Sequence, residues 1–82
     1  MEEFPKPDKV LDLRGLTCPA PILKTKRAVD RLEAGQVIEV WGTDPGTKSD
    51  MPAWARQAGH EFLGYKDGGD FTKFYIRKGG QP

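Results

Sequence analysis

A chain of 82 residues that spends one position on cysteine and one on histidine excludes several chemistries at the outset. The single thiol, Cys18, forms no disulfide within the chain, and no second cysteine completes a CxxC redox pair or a zinc site. Small secreted domains usually lean on disulfides for stability, so their absence points to a reducing compartment. The opening residues, MEEFPKPDK, are polar and broken by proline, without the apolar run of a signal peptide. No stretch approaches the length of a membrane span. The expectation is a cytoplasmic, soluble protein with no membrane partner. A surplus of one charge sign is missing too: 13 Lys and Arg against 12 Asp and Glu give a net charge of +1. Proteins that grip phosphate backbones are far more basic, so direct nucleic-acid contact is not expected.

What remains is a foldable composition, with 37% hydrophobic residues, two Trp, four Phe and two Tyr. That is enough for one small domain over residues 9–80, preceded by a flexible arm over 1–8 that carries Pro5 and Pro7. KVLDLR alternates apolar and charged residues and reads as a strand over 9–14. From Cys18 to about Ala34 the period becomes helical, with Ile22, Thr25, Val29 and Leu32 recurring on one face and Gly35 as the stop. QVIEVWG, 36–42, is a second strand. A shorter helix follows, with Met51, Trp54, Ala55 and Ala58 on one face, Thr47 or Ser49 as its cap, Asp50 and Pro52 in its first turn, and Gly59 at its end. EFLGYK and FTKFYIRK flank the turn DGGD and predict a hairpin.

The order β-α-β-α-β-β gives an α/β two-layer sandwich: a four-stranded mixed sheet with two helices on one face. The βαβ units supply parallel strands and the hairpin adds an antiparallel one.

The stretch DLRGLTCPAP carries the chemistry. The residue before a proline avoids the α region, which suits an N-cap, and proline is favoured at the first helical position. Cys18 is therefore expected to cap a helix whose first residue is Pro19, with Pro21 stiffening the first turn and the Ala20 and Ile22 amides facing the sulfur. Amide hydrogens and the positive end of the helix dipole favour thiolate. Loops at the carboxyl ends of parallel strands gather on one edge, the usual place for ligands. GTDPGTKSD should therefore bring Asp44, Thr47, Lys48 and Asp50 near the sulfur. Asp44 and Asp50 read more readily as turn and cap residues than as catalytic acids. No evident general base or metal cluster joins them, and His60 falls at the far end of the second helix as a turn residue. On the first helix, Lys24, Arg27 and Arg31 lie outward, and Leu23 falls one turn from the sulfur. An exposed leucine backed by cations suits a partner with an acidic rim.

LDLRGLTCPAPILKTKRAV, then GTDPGTKSDMPAWARQAGHEF and the closing FYIRKGG, resembles the TusA (SirA-like) sulfur carrier proteins over roughly residues 9–80. The resemblance implies a cysteine that carries sulfane sulfur as a persulfide between proteins. That role maps onto Cys18, with Pro19 and Pro21 completing the CPxP box and Asp44, Pro45, Asp50 and Pro52 forming the second segment. It implies no cofactor beyond the covalent sulfur, and sulfurtransferase-type chemistry without independent turnover. Its implied partners are a cysteine desulfurase or rhodanese-like donor and a DsrE-like acceptor, met by a carrier that is monomeric when free. Some members have a second cysteine near the position of Ala55, absent here. Family members supply sulfur for tRNA thiolation, molybdenum cofactor assembly or dissimilatory sulfur oxidation. Two rival readings stand beside this one: a regulatory or RNA-associated binding module with an incidental thiol, and a stand-alone thiol enzyme. Pro21, placed where a CxxC pair would have its second cysteine, disfavours dithiol chemistry.

Overall fold

A computed structural model describes residues 4–17 and 19–80. The elements run β1 (Lys9–Asp12), α1 (Ala20–Asp30), β2 (Val37–Gly42), α2 (Thr47–Gln57), β3 (Glu61–Asp67) and β4 (Thr72–Arg77). The strand order is β1-β2-β4-β3, with β1 parallel to β2, and β4 antiparallel to both β2 and β3. Strand β3 therefore runs in the direction of β2, as a βαβ unit requires, and the returning arm of the hairpin fills the space between them. Both helices lie on one face, giving the two-layer α/β sandwich that the element order predicts.

Alternation along the central strands sorts the two faces. Ile38 and Val40 of β2 join Phe74 and Ile76 of β4 in the layer under the helices, where Val29, Met51 and Ala55 complete a core of fully buried side chains. Thr25 is also fully buried, and its Oγ1 has no hydrogen-bond partner among the described residues. The helical stripe is narrower than its sequence period, since Ala58 is exposed and Trp54 sits at the core margin beside His60.

Helix α1 ends at Asp30, four residues short of the expected Ala34. Gly35, with φ of 90°, belongs to a turn in which the Gln36 amide bonds the Glu33 carbonyl, and it does not cap the helix. Gly59 does stop α2. At φ of 86° it lets its own amide reach the Arg56 carbonyl and the His60 amide reach that of Ala55, the paired bonds of a Schellman end. At its start, α2 is capped at Gly46 and not at Thr47 or Ser49. Asp44 supplies the cap from two residues upstream, accepting the Gly46 amide on Oδ1 at 3.2 Å and the Thr47 amide on its carbonyl. The helix consequently starts five residues before Pro52, which lies inside it.

The tail after β4 ties both helix ends. The Lys78 amide bonds the Gln36 carbonyl, its carbonyl receives the Gly35 amide, and its Nζ reaches the Asp30 carbonyl. Gly79 packs so closely on the Gly59 carbonyl that any side chain there would collide with backbone. Its amide donates to His60 Nδ1 at 3.0 Å. Burial, and then Lys78, hold the His60 pKa below its ordinary 6.5.

Among the described residues no helix covers the opposite face of the sheet. Glu39 is buried there, accepting hydrogen bonds from Trp41 Nε1 and Tyr75. Burial first, then Glu39, pushes the Tyr75 phenol up to about 12. Phe4 stacks on Tyr75 at 4.4 Å and 9°. This stacking uses Gly64, opposite Tyr75 in the ladder, whose φ of 141° and missing Cβ leave room for the Phe4 ring. Asp8 adds a backbone bond to the Val37 carbonyl and a side-chain bond to the Val37 amide.

Two outcomes test these packings. Gly64→Ala should destabilise by about 1–2 kcal/mol, and part of that loss should vanish in a Phe4→Ala background, read by a denaturant double-mutant cycle. The second concerns pH: a His60 pKa depressed by folding means that the unfolded chain binds the extra proton first. Stability should be complete above pH ~6.5 and fall as pH drops below it, with the slope reduced in His60→Gln. An unchanged slope would show that burial beside Lys78 does not hold the His60 pKa down.

Candidate functional site

Strands β1, β2 and β3 all point their carboxyl ends to one edge of the sheet, so the loops after them share that edge. Loop 13–19 follows β1, loop 43–46 follows β2, and the turn 68–71 follows β3. One hydrogen bond ties the first loop to the end of β2, and another joins the first two loops. The Leu13 amide extends the ladder onto the Trp41 carbonyl at 2.9 Å, and the Gly15 amide donates to Thr43 Oγ1 at 2.8 Å. Gly15, with φ of 87°, makes the reversal that brings its amide there. Cys18 lies outside the described residues, so the geometry is that of its flanks.

On the downstream flank, helix α1 begins one residue later than the sequence predicts. Pro19 occupies the N-cap position with φ −97° and ψ 9°, Ala20 is the first helical residue, and Pro21 is the second. The first helical bond to reach back, from the Leu23 amide to the Pro19 carbonyl, needs neither proline as a donor. Pro21 is fully buried and anchors this end of the helix against the sheet. The Ala20 amide, expected to face the sulfur, is already taken by the Thr17 carbonyl at 3.0 Å. No acidic side chain occupies the first turn of α1, leaving the positive end of its dipole uncompensated by its own sequence.

The second segment divides. Asp44 and Asp50 flank Gly46 at the start of α2, where carboxylates complement the helix dipole. Thr47 is buried beneath them. Lys48 turns to the hairpin, pairing with Asp67 at 3.0 Å over the Tyr65 ring. That hydrogen bond raises the Lys48 pKa and lowers that of Asp67. His60, at the start of β3, sits on the opposite edge of the sheet.

The sequence does not announce two features of this edge. Thr43 is one; its pairing with Gly15 depends on the β1–β2 register, which no local pattern displays. The other is Arg14. Asp12 holds its guanidinium through Nε at 2.9 Å and Nη2 at 2.8 Å, and the Arg14 hydrogen bond in turn draws the Asp12 pKa down. The same guanidinium lies over Trp41 and Phe71, at 5.0 and 5.1 Å. The i, i+2 spacing of Asp12 and Arg14 is visible in the sequence; the aromatic pair comes from β2 and from the turn before β4, both distant in sequence.

Of the remaining sequence candidates, Leu23 is 56% exposed, while Lys24, Arg27 and Arg31 line a groove beside β1. Ala55, near which the resemblance implies a second cysteine in some members, is fully buried. Among the described residues no helix is long and apolar enough to cross a membrane.

Comparison with known proteins converges on one family. The family model described as Sulfurtransferase TusA matches residues 9–78. The chain is 53% identical over 74 residues to YrkI, a candidate sulfur carrier protein of Bacillus subtilis, covering 90% of this chain and 99% of that one. It is 42% identical over 71 residues to the sulfur carrier protein TusA of Allochromatium vinosum, covering 87% and 93%. Among solved structures, a SirA-like protein of Desulfitobacterium hafniense superposes with a TM-score of 0.71 at 26% identity, covering 87% of this chain and 97% of that one.

The Gly15–Thr43 bond makes a prediction. Thr43→Val should free the loop before α1, raising amide exchange at Gly15 about tenfold or more, whereas Thr43→Ser should retain protection. Equal exchange in the two variants would show that the hydroxyl does not hold the loop.

Proposed function

The chain belongs to the TusA family of sulfur carriers, and from that premise we propose that Cys18 accepts sulfane sulfur as a persulfide and passes it to a thiol of a partner protein. The observation that carries this reading is the family match across residues 9–78; Pro19 and Pro21 at the start of α1 support it. In the loading step, Cys18 thiolate attacks the outer sulfur of a donor persulfide; the new S–S bond forms as the donor's breaks, and the donor leaves as thiolate. In unloading, an acceptor thiolate attacks the outer sulfur on Cys18, and Cys18 departs as thiolate. No net oxidant is needed, since sulfane sulfur is only relocated. A leaving thiolate of low pKa speeds the second step, and a helix N-terminus favours that form.

The supporting residues have distinct proposed roles. Pro19 and Pro21 fix where α1 begins, while Asp44 and Asp50 shape the neighbouring loop. Leu23, exposed one turn into α1, would touch the partner that presents the thiol. A cysteine desulfurase or rhodanese-like protein would be the donor and a DsrE-like protein the acceptor, within a cytoplasmic relay. The acceptor then decides among tRNA thiolation, cofactor assembly and sulfur oxidation. Residues 9–80 are proposed to act as one carrier domain, monomeric when free.

Incubating the reduced protein with a desulfurase and free cysteine, then measuring intact mass, tests the proposal. One added sulfur atom is expected, removable by reductant and absent from Cys18→Ser. Sulfur retained in the serine variant, or no addition to the native chain, would overturn it.

A further inference from the structure

The outer side of α1 and the outer edge of β1 enclose a groove of about 460 Å³. Its apolar lining is Leu11, Ala28 and Leu32; the rest is cationic, from Lys9 on the strand and Lys24, Arg27 and Arg31 on the helix. Among the described residues no carboxylate lines it, in a chain whose charges otherwise nearly balance. The ion pairs among the described residues are Arg14–Asp12, Lys26–Asp30, Lys48–Asp67 and Arg77–Glu61, so none of the groove's cations is neutralised by one. Lys26, on the same helix but outside the groove, is paired with Asp30 at 3.3 Å. The uncompensated charge of α1 is thus concentrated on the side facing β1.

That strand is itself incomplete. β1 ends the sheet order and pairs only with β2, leaving its outer edge without a strand partner among the described residues. An unpaired edge accepts an extended chain through backbone hydrogen bonds, while pockets beside it select alternate side chains. Here the selecting pocket is cationic above and apolar below. We propose that this groove docks an extended acidic segment of a relay partner, which adds to β1 as a strand and places carboxylates at alternate positions against Lys24, Arg27 and Arg31. The partner's identity as a relay protein rests on the carrier reading; the chemistry of the groove does not. A phosphate backbone fits less well, because among the described residues no aromatic ring lines the groove to stack a base and Leu11, Ala28 and Leu32 supply hydrocarbon lining. The groove begins within a turn of Leu23, so a tail held there would tether the partner beside the loop before α1 and raise the local concentration of its thiol.

Fluorescence anisotropy with labelled hexapeptides tests this on the whole chain. The probes are an alternating Glu-Val-Glu-Leu-Glu-Val, its Lys-for-Glu counterpart and a single-stranded oligothymidylate. The acidic peptide should bind, weaken with added salt, and shift backbone amide resonances in 9–12 and 24–32. The Arg27→Glu/Arg31→Glu variant should lose about tenfold or more in affinity, and Lys9→Glu, which tests the same groove from the strand, should weaken binding too. Lys26→Glu, outside the groove, should stay within about twofold of the native chain. Loading of Cys18 by inorganic polysulfide should be unchanged in all three variants. Equal binding of the Lys peptide, indifference to the groove substitutions, or preference for the oligonucleotide would overturn the proposal while leaving sulfur loading intact. Conversely, a native chain that binds the acidic peptide but takes up no sulfur on Cys18 would sink the carrier reading alone.

Discussion

The six-residue antiparallel pairing of β2 with β4 is the interaction on which everything else in the molecule is hung. It places Ile38, Val40, Phe74 and Ile76 in one apolar layer, and only that layer gives α1 and α2 a surface to bury against. It also sets the remaining strands: β1 must take one flank and β3 the other, and both then run toward the same edge. That shared direction brings the loops carrying the CPxP box and the DPG turn close enough for the Gly15–Thr43 bond. The apolar layer of two short strands thus determines which edge the strand-end loops share.

A second consequence is the bare face. A chain this short has enough helix for one side of the sheet, and the other must be made tolerable by other means. The solution combines a buried Glu39 that accepts from Trp41 and Tyr75 with an N-terminal phenylalanine laid over Tyr75. A glycine in β3 permits that ring to sit flat. Phe4 and Gly64 are one device, although sixty positions separate them in the chain.

How far the sequence disclosed this follows from the range of the forces involved. Element order, strand directions and the Gly59 stop depend on local periodicity and on single residues with restricted backbones, and these were readable. Helix limits at Asp30 and Gly46 were not, because Gly35 answers to the Lys78 carbonyl and the α2 start to an aspartate two residues upstream. The Pro19 displacement has the same origin: a proline can either precede a helix or open it, and the Thr17–Ala20 bond decides which. The candidate thiol and its box were plain in DLRGLTCPAP. Thr43 and the Arg14–Trp41–Phe71 stack were hidden, since each needs the register of strands far apart in the chain. The closing KGG is instructive as well, because what read as a family signature turns out to clamp the turns after both helices.

The ladder between β3 and β4 slips at Leu63, so the outer strand on that side carries a bulge, followed by the half-exposed Tyr65 and the charged Lys66 and Asp67. A bulged, charged border refuses another backbone. Were β1 to take up a partner strand as proposed, the addition would not propagate from copy to copy, since the far border of the same sheet discourages a further strand and the cations beside β1 repel those of a second copy.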